Sequence, residues 1–191
     1  MNLQHVNIKL LVKSPEALDL EPLIPIFHRW IKEGVFEEIP LDIADYRHVP
    51  EGPGVVLIGH RANYSVDNTD GRLGVRYNRK APLDGSNQDR LRQAAHAALL
   101  ACQRLESEAA LGGKLRFNGQ DIDIFFNDRI LAPNQEKTRK AAEPEVHGLC
   151  RDLFGGTDYA LCFNTDPRKL LTVSVRTSQL FEVADLLKNL A

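Results

Sequence analysis

The stretch Val55-Val56-Leu57-Ile58-Gly59-His60-Arg61-Ala62-Asn63-Tyr64-Ser65-Val66-Asp67-Asn68-Thr69-Asp70-Gly71-Arg72-Leu73-Gly74-Val75-Arg76-Tyr77-Asn78 decides the fold class. It opens on an apolar run that reads as a strand buried on both faces, and so as a central strand. It then alternates, turns through Asp67–Gly71, and alternates again. Pairing Val66 with Leu73 puts Ala62, Tyr64, Val66, Leu73, Val75 and Tyr77 on one face. Gly59, Arg61, Asn63, Ser65, Gly74, Arg76 and Asn78 then share the other. A helix near 86–107 follows, opened by a capping-box pattern, Ser86-Asn87-Gln88-Asp89. Its stripe is Leu91, Ala94, Ala95, Ala98, Leu99, Cys102 and Leu105.

The same rhythm of hairpin and helix recurs twice. Lys114–Asn127 reads as a hairpin turning at Asn118-Gly119, because both central positions of a type I′ turn need positive φ. That register sets Arg116 opposite Asp121 and Lys114 opposite Asp123, with Leu115, Phe117, Ile122, Ile124 and Phe126 together on the other face. Helical sequence follows over 134–154, and Pro144 is expected to kink or split it. A last hairpin over 158–176 turns at Thr165-Asp166-Pro167-Arg168. Its strands are apolar on both faces and so read as central, and a C-terminal stripe of Leu180, Val183, Ala184, Leu187 and Leu190 follows.

Ahead of these units, Val6, Ile8, Leu10 and Val12 alternate with Asn7 and Lys9 as a half-buried strand. Leu23, Ile26, Phe27, Trp30 and Ile31 make one helical face, with Pro22 and Pro25 in the first turn and Gly34 after the last. Residues 39–54 have no period and read as a connection with one short strand. They hold the weakest candidate for a boundary in what is otherwise a single domain, 1–191. The fold class is therefore α+β. A mostly antiparallel sheet carries helices chiefly on one face, built from an initial strand–helix and three hairpin–helix units.

Bulk properties narrow the function classes. A 43% hydrophobic and 26% charged chain is ordinary for a globular domain. The net charge of -2 gives no pull toward nucleic acid or an anionic membrane. No apolar run approaches the roughly 20 residues of a membrane span, and Met1–His5 does not open like a signal peptide. The expected location is the cytoplasm. Cys102, Cys150 and Cys162 are far apart and read as small buried free thiols.

No nucleotide-loop, nucleophile-elbow or zinc-helix motif occurs, and the six histidines lack ligand spacing, so neither a cofactor nor a metal is expected. The candidate ligand-binding set is Arg61, Asn63, Arg76 and Asn78, whose forks and amides suit an anion on an open sheet face. The leading expectation is a non-catalytic binder of an anionic small molecule or a protein partner, with a homodimer through the sheet or an edge strand. The alternative is an enzyme acting on an anionic metabolite, with His60 as acid/base and Arg61 and Arg76 as clamps. An exposed His60 facing a pocket would favour that alternative. An RNA-binding module, resting on Arg72, Arg76, Arg79 and Lys80, ranks third.

Overall fold

The computed structural model describes the backbone of residues 1–191 and every side chain except that of Ala17. The described residues form eight strands and four α-helices. In chain order they are β1 (Val6–Val12), α1 (Leu23–Glu33), β2 (Pro40–Tyr46), β3 (Gly54–Gly59), β4 (Ala62–Asp67), β5 (Gly74–Arg79), α2 (Asn87–Glu106), β6 (Phe117–Phe126), α3 (Glu136–Phe154), β7 (Tyr159–Phe163), β8 (Leu171–Thr177) and α4 (Val183–Leu190). All strands join one antiparallel sheet in the order β2-β3-β4-β5-β1-β6-β8-β7. The α+β class with an antiparallel sheet is therefore as the pattern predicts.

Residues paired across strands share a face, so the register can be read as rows. One row runs Ile43, Leu57, Tyr64, Tyr77, Ile8, Ile124 and Val173. Most of it is buried in one apolar core with the helix stripes of Leu91, Ala95 and Leu99 and of Val146, Leu149 and Leu153. The neighbouring row runs Ala44, Val56, Ser65, Arg76, Lys9, Asp123, Ser174 and Cys162. It is polar in its middle.

Several local signals act as read. Ser86 and Asp89 form the reciprocal capping box of α2. Gly34 closes α1 with φ 62°, and Leu23, Ile26, Phe27 and Trp30 are its buried residues. The register of β4 and β5 is offset by two from the predicted one, since Val66 pairs with Val75. An even offset leaves every face assignment within those two strands intact.

Other expectations give way. Asn118-Gly119 makes no hairpin: residues 117–126 are one strand, β6, which pairs with β1 on both sides of an irregularity. The register jumps there, from Leu10 opposite Ile122 to Leu11 opposite Asn118, so Gly119-Gln120-Asp121 bulge out of the ladder. Asn118 Oδ1 accepts the Gln120 amide at 3.0 Å, a side-chain turn that replaces the hairpin turn. Asp121 consequently faces Arg176 of β8, not Arg116. The second unit is thus a single strand and a helix. Helix α3 runs on through Pro144, which lies on its exposed side, where water can take the carbonyl that loses its donor. The last hairpin is not central, because β7 is an edge strand. Leu180 lies outside α4 and is 73% exposed, while Leu186 takes the buried place expected of Ala184. The connection after α1 contains the other edge strand, β2. Cys102 and Cys150 are buried free thiols, whereas Cys162 is exposed on β7.

Two predictions follow from this packing. A Cβ on Gly119 would lie 2.3 Å from the Phe181 carbonyl oxygen. Gly119→Ala should therefore destabilise the protein by about 1–3 kcal/mol, read from the denaturant midpoint. Burial also holds the Cys150 thiol up to about 12 and raises that of Cys102 well above its ordinary value. Ellman titration of the native protein should find one fast thiol, Cys162, and find three after denaturation. Three fast thiols in the native state would contradict this packing.

Candidate functional site

A concavity of about 730 Å³ lies on the helical side of the sheet. Its position follows from how the helices are spaced. Helix α1 packs against β2 and β3, and α2 packs against β5 and β1, which leaves β4 between them. Tyr64 of β4 and Tyr77 of β5 line the sheet side of the cleft, Gln93, His96 and Arg104 line the α2 side, and Phe36 to Ile39 line a third side. An aromatic chain braces it. Ring centroids of Phe27, Trp30, Phe36, Tyr64 and Tyr77 follow one another at 5.4, 5.4, 4.4 and 5.2 Å. Phe36 and Tyr64 are nearly parallel, at 12°. Trp30 Nε1 donates to Glu108 at 2.7 Å, which ties α1 to the segment after α2.

The charged groups of the cleft have a small positive excess. Arg61, Arg79 and Arg104 line it with His60 and His96, against Glu37 and Glu38. Glu38 accepts the backbone N–H of Arg61. Arg79 Nε donates to the Ala81 carbonyl at 2.8 Å. Neither the Arg61 nor the Arg104 guanidinium forms an ion pair with any described residue, and Arg104 lies 5.7 Å over the Phe36 ring. Gln93 Nε2 donates to Tyr77 Oη at 3.0 Å. Burial raises the Tyr64 phenol above its ordinary value, so it stays a neutral group at physiological pH.

The predicted set Arg61, Asn63, Arg76 and Asn78 is divided by the sheet. His60 and Arg61 form the tight turn from β3 to β4, outside the alternation of either strand, and Arg61 belongs to the cleft. His60 shares that cleft with Tyr77 and Arg79 and is exposed. Asn63 and Asn78 are direct partners on the opposite face, with Arg76 one row along. The sequence pattern missed Phe36, His96 and Arg104. The first falls in an aperiodic connection and the other two on the exposed side of α2, so nothing in their spacing announces a shared site.

On that opposite face β1 is buried on both sides, not half-buried. Lys9 is 1% exposed and Asn7 0%. Lys9 Nζ meets Asp67 Oδ1 at 2.5 Å, and Arg76 approaches the other oxygen of Asp67 at 3.8 Å. The Arg76 guanidinium stacks on the Phe125 ring at 4.2 Å. Arg76 belongs to β5 and Phe125 to β6, which flank β1, so their contact bridges over the middle strand and roofs it. Burial draws the Lys9 amine below its ordinary value against the opposing pull of Asp67. Nearby, Arg72 Nη1 binds both oxygens of Asp123, and Ser174 donates to the same carboxylate at 2.6 Å. Arg76 is thus already paired and part of the packing, not an exposed clamp, and cannot act with Arg61 on one ligand. Among the described residues no group of three or more His, Cys, Asp or Glu is placed to hold a metal, and no helix is long and apolar enough to cross a membrane.

No protein-family model matches the chain, nor does any curated protein or solved structure.

The buried pair yields a double-mutant prediction. Lys9→Met leaves Asp67 buried without its closest partner and should cost about 3–5 kcal/mol. Lys9→Met with Asp67→Leu removes both charges and should recover most of that loss in urea unfolding. Equal losses in the single and double variants would mean that packing, not charge, dominates at this position.

Proposed function

We propose that the protein binds an anionic small molecule with a flat unsaturated body in the cleft between α1 and α2, and does so without chemistry. The observation that carries this reading is one wall: the stacked Phe36 and Tyr64 rings beside the Arg61 and Arg104 guanidiniums, which have no acidic partner. Ligand sites of this size class are concave, largely apolar and completed by a few polar groups. Here the rings suit a planar body and the forks suit a carboxylate or phosphate. The amide–phenol pair of Gln93 and Tyr77 adds a neutral donor and acceptor at the sheet side.

Calorimetric titration of naphthyl phosphates and naphthoates, with inorganic phosphate as the control, tests the reading. Saturable binding of the aryl anions is expected, weakened at least about tenfold by Arg61→Ala with Arg104→Ala. Both arginines are exposed, so their removal should shift stability by no more than about 0.5 kcal/mol. Absence of binding, or equal binding by the double variant, would sink it.

One observation favours the enzymatic reading: His60 is exposed and lines this cleft, together with His96. Against it, neither imidazole hydrogen-bonds to a described residue that would fix its tautomer and aim it. Incubating the bound ligand with protein and with His60→Gln, then following it by mass spectrometry, separates the two. Turnover by the wild type that is lost in His60→Gln supports the enzyme, and an unchanged ligand supports the binder.

A further inference from the structure

The polar face of the sheet holds a second cavity, of about 230 Å³, beside the buried charges of β1. Lys9, Arg72, Asp123, Phe125, Thr172 and Ser174 are among the residues around it. We propose that this cavity is a binding site for a small monoanion, with a short-chain carboxylate as its class of ligand.

Two observations converge on this. The first is charge. The buried and half-buried ionic groups here are Lys9, Arg72 and Arg76 against Asp67 and Asp123, three positive and two negative. The remaining pair at the rim, Lys169 with Asp70, cancels itself. A lone surplus charge in a weakly solvated place is costly, and a monoanion offsets it. The second is unused donors. Lys9 has three N–H groups and two acceptors, Asp67 at 2.5 Å and the Thr69 carbonyl at 3.4 Å. Arg72 holds Asp123 through Nη1 alone, which leaves Nη2 and Nε. Two acids line the cavity: Asp123 is already held by Arg72 and Ser174, and Asp70 by Lys169, which reduces their repulsion of an anion. The Phe125 ring gives an alkyl chain an apolar surface, and the volume admits a short one.

The test uses the whole protein in chloride-free buffer, titrated with acetate, butyrate and succinate and followed by amide chemical shifts. Saturable shifts with acetate and butyrate should centre on Lys9, Phe125, Thr172 and Ser174. Succinate, a dianion, should bind more weakly. Arg72→Gln should weaken butyrate at least about tenfold. Should that variant unfold, Cys162→Trp provides the second arm. It sits exposed on the edge strand and lines the cavity without touching the ion pairs, and its added bulk should abolish the shifts. Arg61→Ala with Arg104→Ala, on the other side of the sheet, should leave them unchanged. Failure of the aryl-anion titration above therefore does not decide this one. Shifts that are absent, that centre on the cleft, or that persist in both Arg72→Gln and Cys162→Trp would overturn the proposal.

Discussion

A lysine buried in the middle strand of a sheet constrains everything around it. Lys9 has an aliphatic stem that packs like any core side chain and an ammonium that must be met by charge. Asp67 meets it from the end of β4, two strands away. That contact fixes where β4 stops and how the 68–73 connection turns, since Asp67 also accepts the Thr69 amide and hydroxyl at 3.0 Å. Arg76 and Phe125 then close over β1 from its two neighbours. Because Lys9 is held on one side of β1, Ile8 and Leu10 are committed to the other. The helical layer and its core follow from that commitment.

The cleft is a consequence of the same geometry. Tyr64 and Tyr77 occupy the row of Ile8, so the side of the sheet that receives the helices also presents aromatic rings between them. The spacing of α1 and α2 leaves β4 between the two helices, and the Phe36–Tyr64 stack fills part of the gap. The site is preorganised to that extent. The chain Phe27–Trp30–Phe36–Tyr64–Tyr77 is anchored at one end in the core and at the other by the Gln93 amide. Its charged rim comes from a turn, a strand end and a helix flank, elements that do not compete for core space.

What the sequence discloses is parity more than position. The pairing of Val66 is offset by two residues from the simplest hairpin, and yet the face assignments of β4 and β5 stand, because side chains alternate with period two. Amphipathic stripes and the capping box of α2 are likewise local, and local rules recover them. Asn118-Gly119 shows the limit. Its turn chemistry is genuine, for Asn118 does turn the chain onto Gln120, but whether a turn reverses a strand or bulges it depends on the partner strand. Here β1 is long enough to pair on both sides of the irregularity, and a local reading cannot see that. Burial of β1 on both faces is invisible for the same reason. Asn7 and Lys9 look like a solvated face until the strands carrying Arg76 and Phe125 are set beside them.

Arg61 and Arg76 make the point most sharply for function. Both are arginines in alternating sequence, and counting by two from Arg61 through Asn63 and Ser65 places them on one face. The count fails at its first step, because Gly59-His60-Arg61-Ala62 is a turn and a turn has no period. Across that turn Arg61 is carried to the helical side and left free, while Arg76, inside β5, is held by Asp67 and Phe125. One arginine is thereby available to a ligand and the other to the fold. The two proposed sites inherit this division. The cleft sets charged side chains that the core does not need beside two tyrosines of the core. The smaller cavity on the other face uses the charge that the core leaves unbalanced.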